Sequence, residues 1–167
     1  MLERPCPECG LDTSKLVLDQ VPELVRANAE AWRKVLGDDR VRERPSDDTW
    51  SALEYGCHVR DVFRLYDERL ALMLEQDDPL YPNWDQDATA IEQRYDRQSP
   101  AKVSDELESA GFDLAARFST VRDDQWQRRG RRSDGAVFTV ETFARYFVHD
   151  PIHHLHDVHE GFGALSH

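Results

Sequence analysis

Residues 99–121 read SPAKVSDELESAGFDLAARFSTV, and within them Val103, Leu107, Ala110, Leu114, Phe118 and Val121 recur at alternating steps of three and four. Those steps bring apolar side chains onto one face of an α-helix. Ser99 supplies an N-cap hydroxyl, and Pro100 sits in the first turn, where its missing N–H would have had no helical partner anyway. The segment is an amphipathic helix that must bury one face against partners.

Outward from it, the same period returns. From about Asp19 to Leu36 the positions Val21, Leu24, Val25, Trp32 and Val35 keep helical spacing, and Gly37 stops the run. A polar link leads to Trp50-Ser51-Ala52-Leu53-Glu54, in which Ser51 and Glu54 have capping-box spacing. The helix they start runs through Val59, Val62, Phe63, Tyr66, Leu70 and Met73 to about Glu75, with His58 one to two turns from its beginning. Residues 80–98 lack a clean period and predict a loop followed by a short helix, or a lid. Residues 126–138 allow a small irregular hairpin at most, around Asp134-Gly135. Thr139 caps a last helix whose buried face is Val140, Phe143, Ala144, Phe147, Val148 and Ile152. Pro151 lies inside it and predicts a kink, or a Phe147 carbonyl without its usual partner.

No segment shows the sustained alternation of a half-buried strand. The expected fold is therefore all-α, an up-down-up-down four-helix bundle over residues 16–162, preceded by a short Cys-x-x-Cys arm over residues 1–15. A chain of 167 residues is long enough to bury one hydrophobic core. The net charge of −12 opposes binding to nucleic acid or an anionic membrane. No stretch is long and apolar enough to span a bilayer, the N-terminus has no apolar signal core, and three cysteines cannot close a disulfide framework, so a cytoplasmic location is expected. The expected partner is a small molecule, and pairing into a homodimer through a helix face stays open.

Two features carry chemistry. Five of the seven histidines fall between His149 and His159. His149 and His153, four apart on a helix, can offer two imidazoles to one ion, with His156 continuing the stripe and His154 about a quarter-turn away. A third ligand from another element would leave an open position, and His58 is the one histidine before residue 149. Asp61, Asp150 and Asp157 are candidates to accept the second N–H of a bound imidazole. A solvated or pH-sensitive histidine face is the alternative. Separately, Arg128, Arg129, Arg131 and Arg132 flank Gly130, which makes either a local anion site or a solvated loop.

Cys6-Pro7-Glu8-Cys9-Gly10 has the spacing of half a structural zinc site. Completion needs two more ligands, with Cys57, His154, His156, His159 and His167 as the free choices. A pair of free thiols is the alternative, and a redox pair ranks lower without a βαβ context.

The segments Trp50-Ser51-Ala52-Leu53-Glu54-Tyr55-Gly56-Cys57-His58 and His149-Asp150-Pro151-Ile152-His153-His154 resemble the W-S-x-x-E-x-x-x-H and late H-x-x-x-H motifs of the DinB-like superfamily of four-helix metalloproteins, over roughly residues 40–160. The resemblance implies a divalent ion, zinc or nickel, on His58, His149 and His153. It also implies a thiol-S-transferase, or a related isomerase or hydrolase, using a low-molecular-weight thiol such as mycothiol or bacillithiol on an electrophilic small molecule. Arg129, Arg131 and Arg132 would then hold the anionic groups of that cofactor, with Trp84, Tyr95 and the 80–98 segment covering the site. A non-enzymatic metal-binding or sensing module is the competing expectation, since no base comparable to the glutamate of H-E-x-x-H is present.

Overall fold

The computed structural model describes residues 5–166. Its helices are α1 (Val21–Leu36), α2 (Ala52–Glu75), α3 (Gln86–Glu92), α4 (Pro100–Ser119) and α5 (Val140–Leu165), joined by strands β1 (Leu80–Tyr81), β2 (Arg129–Arg132) and β3 (Val137–Thr139). The helix starts are those the side chains dictate. Ser51 Oγ accepts from the Glu54 N–H at 3.2 Å while Glu54 Oε1 accepts from the Ser51 N–H at 3.0 Å, a reciprocal capping box. Ser99 Oγ accepts from the Lys102 N–H, and Thr139 Oγ1 from the Thr142 N–H.

The four long helices form a bundle, but its neighbours are not those of a simple sequential up-down-up-down arrangement. Helix α4 packs chiefly on α1 and α2, and α5 on α2 and α1, so that of the consecutive long helices only α2 and α4 are main partners, while α1 and α2, and α4 and α5, are not. The links over residues 37–51 and 120–139 are long enough to carry the chain across the bundle, whereas short loops would have forced the helices they join side by side. The close approach of α4 is made at Gly111, where an added Cβ would lie 2.8 Å from the Ala29 Cβ and 3.0 Å from the Phe63 ring. The core is aromatic: Phe63, Phe118, Tyr66, Phe143 and Phe147 stack or meet edge to face across α2, α4 and α5.

Strand β1 departs from the sequence expectation, whereas the hairpin about Asp134-Gly135 meets it. Strands β2 and β3 pair antiparallel about the Asp134-Gly135 turn, with Gly135 at φ +98°, and β1 adds in parallel to β2. A two-residue strand is too short to show alternation, which is why the sequence pattern did not reveal it. Helix α5 runs unbroken through Pro151, and Asn28 Nδ2 donates to the Pro151 carbonyl at 3.1 Å. His167 and residues 1–4 of the arm lie outside the described residues.

Candidate metal centre

Capping at Ser51 starts α2 so that His58 falls on its inner side, 1% exposed, facing α5. The group opposite is Asp150: its Oδ2 is hydrogen-bonded to His58 Nε2 at 3.2 Å, and its Oδ1 lies 3.2 Å from His154 Nε2. Asp150 and His154 stand four apart and so share a face of α5. The ligand atoms of His58, Asp150 and His154 all lie within 4.8 Å of one another. The other nitrogen of His154 meets Asp157 Oδ2 at 3.2 Å, a carboxylate that orients the ring. Trp84 stacks on His58 with centroids 5.5 Å apart, and Trp50 and Tyr55 flank the two imidazoles.

The electrostatics follow from this contact set. Burial alone would raise the Asp150 carboxyl, but hydrogen bonds to His154 and then His58 outweigh it and hold the group well below the usual carboxylate range. Burial would likewise lower His154, yet its bonds to Asp150 and Asp157 raise it to about 9. Here His58 Nδ1 is buried without a hydrogen-bond partner. Two imidazoles and one carboxylate are a donor set that a first-row divalent ion accepts, and they leave further positions open.

The expected trio is divided between two places. Among the described residues, His149 and His153 are gathered with Cys6 and Cys9 rather than with His58. The reason is helical: each residue turns the helix by about 100°, so the stripe 149/153 and the stripe 150/154 point in different directions. Of the free choices for completing the cysteine pair, none of the described ones, Cys57, His154, His156 and His159, is grouped with it; Cys57 is buried with its Sγ 3.8 Å from the Tyr95 carbonyl, and burial pushes its thiol up to about 12. The Cys6 thiol is pulled down to about 7, chiefly by the Cys9 N–H. His149 is lowered by burial.

A cleft of about 450 Å³ opens beside the first group, lined by His58, Asp150, His149 and Trp84 together with Arg69, Arg132 and Arg145. Of the expected arginines, only Arg132 reaches it, while paired to Asp134 at 2.9 Å. Arg131 is paired to Asp78 and Arg129 is exposed on the outer side of β2. Arg69 and Arg145 were not legible as site residues because a single arginine on a long helix carries no motif. Trp84 does cover His58, but Tyr95 instead donates to Asp61, which keeps Asp61 away from the imidazoles.

A helical bundle that gathers imidazoles and carboxylates from two helices at the wall of a cleft defines the class of bundle proteins with metal-ligating cores. Within that class the chain belongs to the DinB superfamily, whose model matches residues 23–158. Among solved structures it is similar to YfiT from Bacillus subtilis, described as "a probable metal-dependent hydrolase with an unusual four-helix bundle topology", at 21% identity and a TM-score of 0.71, over 91% of this chain and 88% of that one. That likeness concerns the fold. No curated protein matches. No helix is long and apolar enough to cross a membrane among the described residues.

Proposed function

We propose that the chain is a metal-dependent transferase that brings a low-molecular-weight thiol, of the mycothiol or bacillithiol kind, to an electrophilic small molecule. The observation that carries this reading is the placing of His58 and Asp150, which are grouped with His154, at the wall of a cleft that also holds Arg69, Arg132 and Arg145. A cleft of about 450 Å³ suits a small ligand. Its three guanidiniums suit anionic groups on that ligand. Zinc or nickel held by His58, Asp150 and His154 would supply a Lewis acid that lowers the pKa of a thiol reaching it. Asp157 keeps the His154 ring oriented, and Trp84 shields His58 from bulk water.

The test begins with elemental analysis of wild type, His58→Ala and His154→Ala. Each variant is expected to lose one equivalent of metal; full retention in both overturns the site. If His58→Ala and His149→Ala lose the same equivalent, and His154→Ala and Cys6→Ser/Cys9→Ser both keep it, the ligands are His58, His149 and His153, as the family resemblance implies. Thiol conjugation to a panel of electrophiles is then expected of the metal-loaded protein. Thiol-independent ester or amide cleavage would assign hydrolysis, the activity with which YfiT is described, and inertness toward every substrate would assign a non-enzymatic module.

A further inference from the structure

We propose that Cys6, Cys9, His149 and His153 hold a structural zinc ion that fastens the N-terminal arm to α5, separate from the His58 centre.

The four ligand atoms all lie within 4.8 Å of one another, although two come from a loop and two from a helix about 140 residues away in sequence. Cys6 Sγ is 3.7 Å from His153 Nδ1. With Zn–S about 2.3 Å and Zn–N about 2.0 Å, the S···N edge of a tetrahedron is about 3.5 Å, so these atoms already stand near ligand spacing. The loop is closed as a knuckle: the Gly10 N–H donates to the Cys6 carbonyl at 2.9 Å and the Cys6 N–H to the Leu11 carbonyl at 2.8 Å. Gly10 takes φ +80° there, a conformation that suits glycine and turns the chain sharply after the second cysteine.

The surroundings of His153 point the same way. Its Nδ1 faces the thiol, whereas its Nε2 lies 3.2 Å from a Glu8 carboxylate oxygen and 3.5 Å from one of Asp157. One nitrogen toward a metal and the other N–H on a carboxylate is the arrangement by which bound imidazoles are oriented. His149 Nε2 is buried without a hydrogen-bond partner. Leaving such an atom unpaired is costly, and a bond to an ion removes the cost. Two thiolates with two imidazoles select zinc over harder ions, and four protein ligands leave no position for substrate, which makes the site structural. Thiolates bound in this way give up their protons to solvent on loading.

Zinc content and cobalt spectroscopy of the full chain test this. Wild type purified under reducing conditions should keep one equivalent of zinc through dialysis against a mild chelator, His58→Ala should keep that same equivalent, and Cys6→Ser/Cys9→Ser should lose it. Should the double variant not fold, cobalt-substituted wild type decides. Thiolate-to-cobalt charge-transfer absorption in the near ultraviolet, with intense tetrahedral bands in the visible, supports the site. Full zinc in the double variant, a cobalt spectrum without the charge-transfer absorption, or a Cys6–Cys9 disulfide in the purified protein overturns it. Because His58→Ala removes only the other ion, failure here is distinguishable from failure of the proposed enzymatic centre.

Discussion

Asp150 touches two imidazoles at once, one carboxylate oxygen on each. Asp150→Asn keeps the shape and removes the charge, and should weaken metal binding at the His58 centre by at least about tenfold, measured by competition with a chromophoric chelator. The sequence pattern pointed to this residue only as a carboxylate that orients a bound imidazole, not as one grouped with His58 and His154 as a ligand. His149 and His153 form a visible motif, whereas an aspartate four residues before a histidine has no such signature, and only the direction of each stripe tells them apart. Glu54 offers a second test. Burial would raise its carboxyl, but Arg44, with Nε at 2.8 Å, and the Ser51 N–H lower it below the ordinary 4.5. A lowered folded value means that its stabilisation is complete above about pH 4.5 and is lost as pH falls from there through the lower folded value. Glu54→Gln should therefore cost about 2 kcal/mol at pH 7 and progressively less in acid, read from urea unfolding at several pH values.

Among the elements, the long helices were legible from their apolar periods, reinforced at α2, α4 and α5 by a capping side chain, and the Asp134-Gly135 turn was legible from its residues. The order of helices around the bundle was not, since amphipathic faces state that a helix has partners without stating which. Gly111 is where that order is enforced, by letting α4 approach α1 and α2 closely. Gly111→Val should destabilise the protein by about 2 kcal/mol through overpacking, despite removing a flexible residue from a helix, and its urea midpoint should fall accordingly. Strand β1 was illegible for a simpler reason. Its two residues gain their place only through pairing with β2, more than forty positions on.

For the whole molecule, with the proposed zinc on Cys6, Cys9, His149 and His153, the arm is the segment with most to lose from metal removal. Its remaining ties to α5 include Arg145 Nη1 donating to the Thr13 and Leu16 carbonyls, at 2.6 and 2.9 Å. Strong chelation should raise amide hydrogen exchange over residues 6–12 at least several-fold while the α2 and α4 cores stay protected, as hydrogen-exchange mass spectrometry would show. In the same metal-free protein, Cys6 and Cys9 should react with a thiol reagent at neutral pH, and Cys57 only after unfolding, because burial holds it at about 12.

Helix α5 resembles a text that can be read in two frames. In one frame it spells a pair of imidazoles, and in the next, one letter along, a carboxylate and an imidazole. What sets the frame is Val140, Phe143, Ala144 and Phe147, buried side chains that carry no ligand atom. Inserting one residue between Phe147 and His149 would thus present the wrong word to His58 without altering any letter of either ligand set, so which donors His58 meets is governed by the punctuation of the hydrophobic core.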